Sequence, residues 1–497
     1  MKTTLINPPL ISQKNDPHTG IIYMPFMLAY LSSYLKKVGH EVQVIDGFGE
    51  APMQFDTLDK LQVQGMSVPD IVSKIQPDCQ MIFIYFSGVV AYRIIEEILK
   101  EIKCVYPNVM CVLVENSQAV TAFSVVNDVD NLLKLGFDVL IFGEPEKPAE
   151  KLIHSMIETG NIPQEQGLIF KKGNVVYKGE GIPINKELDM LPIPDWESFP
   201  LQNYWDVGYA HGPMEGPYLP ILTSRGCPVK CRFCVIPATN DGMWRFRSPE
   251  NVVDEMEEMI KRFGVREFHV EDVNPTVRNQ RIVDICNTII QRKLDVSWKF
   301  VSGTKIETMK LETIPLLAQA GCSYVSFSPE TGSKALLKKM NKPFHHDLAY
   351  KMVKEMSRVG MYSQACFVCG FPGETAEDIQ LTKAYIRKLA LAGLDEIAQF
   401  IITPIPGSSI FSEITGYDSF SQLTFSPTWR KDYKQLVRRR WGHYAYFLFW
   451  KCIRFPHKVL RQVVNICRGK FSTKMEQAIY RVTFWKLFKR KVQYVKS

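Results

Sequence analysis

The chain lacks the hydrophobic segments that mark export or membrane insertion. Its first apolar run is interrupted by Pro8 and Pro9, so it does not form the long apolar stretch of a secretory signal. No stretch approaches the roughly 18 uninterrupted apolar residues that a membrane-spanning helix needs. The longest aromatic run, from Tyr444 to Trp450, is only seven residues long. With 46% hydrophobic and 23% charged residues, we expect a folded cytoplasmic protein of about three domains.

Disulfide bonds are also not expected, because they are rare in a reducing compartment. Three of the 12 cysteines lie within eight residues of one another and need a separate explanation. The others are scattered in mostly apolar surroundings, where cysteine packs as a small hydrophobic residue. These nine are Cys79, Cys104, Cys111, Cys286, Cys322, Cys366, Cys369, Cys452 and Cys467.

Residues 1–160 alternate short apolar runs with helical patterns. This alternation predicts an α/β domain with a parallel, doubly wound, Rossmann-like sheet. Such sheets bind ligands beyond the carboxyl ends of their strands. The predicted strands are residues 3–6, 41–45, 81–86, 109–114 and 139–142.

Residues 161–215 contain several prolines and predict a linker with little regular structure. Residues 216–415 return to strand–helix alternation with about six units, which predicts a partial (β/α)6 barrel with a site at the carboxyl ends of its strands. Residues 416–497 show aromatic and basic helical patterns without strands. The predicted barrel strands are residues 218–223, 267–271, 297–301, 324–328, 365–368 and 397–403.

The clustered cysteines, Cys227, Cys231 and Cys234, follow the first barrel strand with the spacing C-x3-C-x2-C. Three thiolates on one loop can hold three corners of an iron–sulfur cube and leave one iron open. A zinc site would need a fourth ligand in a matching pair, and none follows. Cys366 and Cys369 do not supply it, because on a strand their side chains point to opposite faces. We therefore predict a [4Fe–4S] cluster on the three clustered cysteines and assign no further catalytic residue.

This cysteine spacing resembles the signature of the radical S-adenosylmethionine (SAM) superfamily. The resemblance implies that SAM chelates the open iron through its amino and carboxylate groups. Electron transfer into the sulfonium then releases a 5′-deoxyadenosyl radical, which takes hydrogen from unactivated carbon. It also implies an external electron donor of the flavodoxin or ferredoxin type and a small-molecule or lipid substrate.

Further motifs in the barrel resemble the SAM-binding turns of that superfamily and follow the cluster in the same order. Glu271 and Asp272 end the second barrel strand, and residues 326–333 resemble a G-x-E-S/T-G turn. One departure is Lys305, where many relatives carry arginine, so the charge is kept without the planar fork. The residues that the resemblance assigns to SAM binding are Phe233, Glu271, Asp272, Lys305, Glu330, Gly370 and Pro404.

The N-terminal residues resemble the cobalamin-binding domain that precedes the barrel in one radical SAM subclass, which includes class B methylases and anaerobic Mg-protoporphyrin ester cyclases. The D-x-H-x-x-G motif of methionine-synthase-like domains is absent, so the first loop offers cobalt no imidazole, and His18 lies too far along to be its equivalent. Glu115-Asn116 replaces the usual paired glycines, and a purely structural domain is the alternative. The residues assigned to cobalamin are Asn7, Pro8, Asp46, Ser87, Gly88, Asn116, Ser117, Gly143 and Glu144.

If cobalamin binds, the resemblance implies methyl transfer to an unactivated carbon or phosphorus, with one SAM as methyl donor and another as radical source. The substrate would be a lipid or a specialised metabolite. A cyclase or oxidoreductase of the same architecture is the alternative. An RNA-modifying methylthiotransferase would need a second cysteine triad, for which Cys79, Cys104 and Cys111 have the wrong spacing.

The C-terminal segment is strongly basic. From residue 430 to 497 it has 19 Lys and Arg against two acids, so it carries +17, and the rest of the chain carries −9 of the total of +8. Basic and aromatic runs follow one another along this segment: RRRW at 438–441, YAYFLFW at 444–450 and FWKLFKRK at 484–491. Three interpretations remain open: a helical cap on the barrel, peripheral contact of residues 430–497 with the inner membrane surface, and nucleic-acid binding, which we rank last.

Overall fold

The computed structural model describes residues 1–14 and 16–483. Its N-terminal part contains a seven-stranded sheet in the order β10-β9-β8-β7-β6-β1-β3 and a separate three-stranded sheet in the order β2-β5-β4. The strands of this part are β1 (Lys2–Asn7), β2 (Leu10–Gln13), β3 (Glu41–Asp46), β4 (Phe55–Leu58), β5 (Leu61–Gln64), β6 (Met81–Phe86), β7 (Met110–Glu115), β8 (Val139–Ile141), β9 (Leu168–Lys172) and β10 (Val175–Lys178).

Strands β1, β3, β6, β7 and β8 of the large sheet are parallel, as the sequence predicts. Every residue of the interior strand β6 is buried, which explains its unbroken apolar run MIFIYF. Helices cover the sheet, and each buries one apolar stripe against it. The helices are α1 (Phe26–Lys37), α2 (Val68–Ser73), α3 (Tyr92–Val105), α4 (Val129–Leu135) and α5 (Glu146–Thr159).

The predicted linker differs from the expectation of little regular structure. Strands β9 and β10 lie inside residues 161–215 and extend the large sheet by antiparallel pairing on β8. Residues 168–170 are buried, because they cover an edge that would otherwise expose backbone hydrogen-bonding groups. The short helix α6 (Leu201–Val207) follows the proline-rich stretch.

The second large sheet has six strands in the sequential order β11-β14-β15-β16-β17-β18, and all its pairings are parallel. This is the partial (β/α)6 barrel that the sequence predicts. A two-stranded ribbon, β12 with β13, follows the first strand. The strands are β11 (Tyr218–Ile221), β12 (Ser224–Arg225), β13 (Arg245–Phe246), β14 (Glu267–Val270), β15 (Ser297–Thr304), β16 (Cys322–Glu330), β17 (Tyr362–Cys369) and β18 (Glu396–Ile401).

The helices of the barrel lie between its strands and begin at clear capping residues in several cases. Ser248 caps one helix by accepting a hydrogen bond from the amide of Asn251, and Thr375 forms a capping box with Asp378. The helices are α7 (Ile236–Asn240), α8 (Pro249–Phe263), α9 (Asn279–Gln291), α10 (Thr313–Gln319), α11 (Lys334–Lys339), α12 (His346–Arg358) and α13 (Ala376–Ala392).

The C-terminal part is helical as far as the structure describes it, with α14 (Tyr433–Arg454), α15 (Pro456–Arg468) and a further helix over residues 474–483. Helix α14 packs along α13 and β18, so its inner face caps one side of the barrel. Among the described residues, no helix combines the length and apolarity needed to cross a membrane. The basic aromatic stretch 484–491 lies outside the described residues.

Candidate active site

One large cavity lies between the two sheets and holds the predicted cluster cysteines. Its volume is about 1050 Å³, above the usual range for a single small ligand, so it has room for more than one. It is lined by loops at the carboxyl ends of both sheets and by the C-terminal helices, and most of the lining is apolar. All three clustered cysteines reach it and none forms a disulfide.

The backbone of the cysteine loop is fixed at its start by Gly226. Its φ is +80°, and a Cβ there would come within 2.0 Å of the carbonyl oxygen of Met243, so only glycine fits. The amide of Gly226 donates to Oε1 of Gln118 at 2.9 Å. This contact ties the loop to the N-terminal sheet, because Gln118 lies just after β7. The loop conformation thus depends on both parts of the chain.

The thiols themselves are in a shielded environment. The amide of Cys234 donates to the carbonyl of Cys231 in a tight turn, and the amide of Asn274 lies 3.5 Å from Sγ of Cys227. Burial raises the pKa of Cys231 to about 11 and also raises the pKa of Cys234. Because thiols must ionise to bind metal, loading of this loop should release protons.

The donor set fits an iron–sulfur cluster better than a single ion. Among the described residues, no three His, Cys, Asp or Glu side chains are grouped closely enough to hold one metal ion. Three separated soft sulfur donors, each free to bind a different iron, agree with a cube whose fourth iron faces the cavity. Cys79, Cys104 and Cys111 do not line this cavity, so they give no support to a second cluster.

The cavity contains four of the seven residues assigned to SAM: Phe233, Glu271, Lys305 and Glu330. Glu330 has a left-handed backbone, with φ +60°, and its carboxylate forms a buried ion pair with Lys342, which also lines the cavity. Such a conformation is costly for a residue other than glycine and is common at binding sites. The carboxylate of Glu271 lies 2.8 Å from Nδ1 of His211.

The other three assigned residues lie outside the cavity. Asp272 instead accepts hydrogen bonds at 2.6 Å from both the amide and the hydroxyl of Thr223, and so supports the start of the cysteine loop. The carbonyl of Gly370 accepts from Arg430 at 3.1 Å. Pro404 does not reach the lining either. The assignment of these three residues to SAM contact stays a prediction.

At the N-terminal sheet, five of the nine residues assigned to cobalamin line the cavity: Asn7, Pro8, Ser87, Gly88 and Asn116. Their loops follow β1, β6 and β7, which are neighbours in the sheet. They form one continuous wall, as expected for the carboxyl edge of a parallel sheet.

Four assigned residues have other partners. The carboxylate of Asp46 is buried and accepts from Asn7 at 2.8 Å and from Tyr204 at 2.7 Å. The carbonyl of Ser117 accepts from Asn240 at 2.6 Å. Gly143 and Glu144 lie against the barrel rather than in the cavity, because Glu144 pairs with arginines of the ribbon. These four residues do not line the cavity, and their assignment to cobalamin stays a prediction.

The substitution of glycines by Glu115-Asn116 does not fill the cavity. The carboxylate of Glu115 turns away from it and accepts from the amides of Val125 at 2.8 Å and Gly143 at 3.1 Å. Burial raises the pKa of Glu115 to about 8. The side-chain amide of Asn116 donates to the carbonyl of Ser87 at 3.0 Å. The wall beside β7 thus stays open even with these larger residues.

Several lining residues received no role in the sequence analysis. His18 lines the cavity, and its Nε2 is buried without a hydrogen-bond partner. Lys474, from the C-terminal helix over 474–483, reaches the cavity beside Glu396, and burial lowers the pKa of Lys474 and raises that of Glu396. Cys366 lines the cavity, whereas Cys369 packs on the other face of strand β17. This confirms that the two side chains face opposite sides of the strand. Only tertiary structure brings these residues together.

Comparison with known proteins agrees with this geometry. Residues 221–386 match the family model of the radical SAM superfamily. An uncharacterised methyltransferase of Pyrococcus horikoshii is 27% identical, and the alignment covers 87% of this chain and 86% of that protein. The cytidylyl-2-hydroxyethylphosphonate methyltransferase of Streptomyces wedmorensis is 26% identical, with 83% and 81% covered.

A solved structure shares the whole fold. It is the radical SAM methyltransferase TsrM from Kitasatospora setae, with a TM-score of 0.66, 16% identity, and coverage of 89% of this chain and 88% of that one. The likeness therefore includes the N-terminal sheet and the barrel together. The chain therefore contains a radical SAM domain at residues 221–386, and the radical SAM superfamily implies a [4Fe–4S] cluster and SAM as cofactors.

Proposed function

We propose that the protein transfers a methyl group to an unactivated carbon or phosphorus atom of a lipid or specialised metabolite, with cobalamin as a further cofactor. The observation that carries this proposal is the continuity of the cavity. Cys227 on the barrel side and Asn116 on the N-terminal side line the same space. Two cofactors bound at these walls would face a shared volume in which a substrate can lie between them.

The N-terminal wall suits a large, flat ligand. Pro8 and Pro9 line it without polar side chains, and Gly88 leaves room close to the backbone at the end of β6. The first loop contributes no imidazole, so cobalt would receive no ligand from it. When bound, cobalamin supplies a methyl carrier and SAM supplies both the methyl group and the radical.

The barrel wall of the cavity would hold the iron–sulfur cluster and SAM. Cys227, Cys231 and Cys234 would ligate the cluster, and Glu271 and Glu330 carry carboxylates into the same cavity for the amino group of SAM. The mostly apolar lining excludes water, which protects a reactive radical from side reactions. An external flavodoxin or ferredoxin would supply the electrons.

Cobalt retention tests the proposal. Protein purified anaerobically and reconstituted with iron, sulfide and hydroxocobalamin should keep close to one cobalt per chain after desalting, with the matching absorbance. The variant Gly88→Phe should lose cobalt and keep its iron. The extended backbone at Gly88 imposes no φ penalty, but a Cβ there would lie 3.1 Å from the carbonyl oxygen of Thr121, so a large side chain should disturb this part of the cavity wall.

The triple change of Cys227, Cys231 and Cys234 to alanine is the matched control and should lose iron while keeping cobalt. Wild-type protein that loads iron fully but retains no cobalt would contradict the proposal. That result would favour the alternative, a cyclase or oxidoreductase without methyl transfer.

A further inference from the structure

The C-terminal helices expose an unusual number of large apolar side chains. On α14, Trp441 is 56% exposed, Phe449 57% and Ile453 58%, and Leu448 lies between them at 42%. The spacing of 7, 8 and 12 residues from Trp441 places all four on one side of the helix. Their side is opposite to Phe447, which is buried against the barrel.

Helix α15 continues this apolar surface. Leu460 is 66% exposed and Val463 52%, and Val464 is exposed beside them at 36%. These positions are one turn apart on the helix, so they too form a stripe. Helix α15 contacts α14 directly after a short turn. We name the exposed surface formed by α14, α15 and residues 474–483 the outer face.

The cavity opens through this face. Trp441, Leu448, Val463 and Ile479 line the cavity and are also exposed, so they form its mouth. A ligand that leaves the cavity on this side emerges between apolar side chains rather than into a polar rim. Large exposed apolar patches of this kind mark interaction sites in folded proteins.

The charge around the outer face is predominantly positive. Residues 430–483 contain two acids: the side chain of Asp432 is 43% exposed but pairs with Arg430 at 2.7 Å, and Glu476 is buried. The exposed cations within these residues lie on α14, on α15 and in the segments that flank these helices. They are Lys431, Lys434, Arg438, Arg454, Arg461, Arg468 and Lys470.

We infer that the outer face docks on an anionic lipid bilayer and that the cavity opens directly into that bilayer. Apolar side chains on in-plane helices enter the headgroup layer, and the surrounding cations bind anionic headgroups. A substrate with a hydrocarbon chain could then pass from the bilayer to the cavity without crossing water. The inference deepens the proposed function, on which the identity of the cavity as the reaction site rests.

The other two interpretations of the basic segment, a cap on the barrel and a nucleic-acid surface, explain fewer of its exposed side chains. A cap explains only the inner face of α14, where the hydroxyl of Tyr444 accepts from the amide of Gln399 at 3.0 Å and Lys451 is buried. Among residues 1–14 and 16–483, it gives the exposed stripes no partner. A nucleic-acid surface uses aromatic platforms and cations, whereas Ile453, Leu460 and Val464 are aliphatic and offer bases nothing to stack on.

Vesicle sedimentation tests the inference with the reconstituted full chain. Vesicles of phosphatidylcholine with phosphatidylglycerol should pellet the wild-type protein, and vesicles of phosphatidylcholine alone should bind it much less. The double variant Leu460→Glu, Val464→Glu should weaken binding by about tenfold or more, because it places two anions in the contact surface. Neither residue lines the cavity.

Two sets of variants control for folding and for nonspecific charge. The variant Arg468→Glu, Lys470→Glu should weaken binding to anionic vesicles by about tenfold, whereas Lys171→Glu, Lys172→Glu on β9 should bind like the wild type. Ile157→Glu, at an equally exposed apolar position on α5, should also leave binding unchanged. Thermal unfolding should confirm that each variant is folded.

Folded wild-type protein that does not bind anionic vesicles would overturn the inference. Binding that survives Leu460→Glu, Val464→Glu unchanged, or tight binding of single-stranded RNA without vesicle binding, would do the same. Cobalt content and SAM cleavage are measured on the same preparation. If cobalt content and SAM cleavage are normal but the protein does not bind vesicles, only the docking inference is contradicted. If the protein binds vesicles but retains no cobalt, only the proposed function is contradicted.

Discussion

At the residue scale, the cavity places ordinary side chains in environments that change their chemistry. The imidazole of His18 packs in parallel with the ring of Tyr444, with 6.3 Å between ring centres. Burial, with a further contribution from the nearby charge of Arg440, lowers the pKa of His18 to about 4. A neutral imidazole with one unpartnered nitrogen therefore faces the cavity throughout the physiological range.

This environment predicts an acid-sensitive contribution to stability. Between pH 4 and about 6.5 the unfolded chain binds a proton at His18 that the folded chain does not, so stability falls as pH is lowered through this window. The full effect is at most about 3 kcal/mol. The variant His18→Phe keeps the ring contact and removes the titration. Its urea-unfolding free energy should fall less steeply than that of the wild type between pH 6.5 and 4.5.

Equal slopes for the two proteins would contradict the assigned environment of His18. The variant His457→Phe, at an exposed position on α15, controls for the substitution of a histidine by phenylalanine as such.

At the scale of elements, α14 has an inner face that supports the barrel and an outer face that does not. Phe447 is 1% exposed and Phe449 57%, although they are two residues apart on the same helix. The change Phe447→Ala should destabilise the protein by about 3–5 kcal/mol, since it leaves a cavity. The change Phe449→Ala should stay within about 0.5 kcal/mol.

Chemical unfolding of both variants measures this difference. Similar losses for the two would mean that α14 is not docked as described. In the vesicle assay the order should reverse, with Phe449→Ala weakening binding and Phe447→Ala, where folded, retaining it.

Most elements of the two large sheets could be predicted from the sequence, because their strands are apolar runs between turn signals. Strands β9 and β10 could not, since Val175 and Val176 are exposed on an edge and the surrounding prolines and glycines suggest a linker. The small sheet of β2, β4 and β5 was also missed. Its strands, such as LQVQ, carry polar residues and give no core signal.

The residues of the candidate site also include some that the sequence predicts and others that it does not. Local spacing identified Cys227, Cys231 and Cys234, because all three ligands lie on one loop. The contact of Lys474 with the carbonyl of Val301 at 2.6 Å joins residues 173 positions apart, and no local pattern encodes it. Glu144 was assigned to a ligand because its motif follows a strand of the N-terminal sheet. In the structure its carboxylate pairs with Arg225 and Arg245 of the β12–β13 ribbon and accepts from the amide of Asn185.

At the scale of the whole molecule, buried ion pairs join the N-terminal sheet to the barrel. Arg225 lies 2.7 Å from Glu146 and 3.3 Å from Glu144, and Arg245 lies 2.5 Å from Glu144; all four side chains are buried. These arginines flank the cysteine loop, which starts directly after Arg225. The relative position of the two cavity walls therefore depends on Glu144.

Removal of the negative charge of Glu144 should lower the free energy of unfolding. The variant Glu144→Gln leaves Arg245 without its carboxylate partner and should destabilise the protein by about 3 kcal/mol, measured by chemical unfolding. The exposed pair of Arg266 and Asp295 is the control, and Asp295→Asn should change stability by less than about 1 kcal/mol. Equal effects of the two changes would show that the buried network does not hold the two parts together.

Product analysis of SAM turnover tests most directly whether one cavity serves both cofactors. Reconstituted protein given SAM and a chemical reductant should form 5′-deoxyadenosine from reductive cleavage and S-adenosylhomocysteine from methyl donation. The triple change of the cluster cysteines to alanine should abolish 5′-deoxyadenosine, and Gly88→Phe should abolish S-adenosylhomocysteine alone. Full 5′-deoxyadenosine formation without the three thiols, or no S-adenosylhomocysteine from cobalamin-loaded wild-type protein, would contradict the assignment.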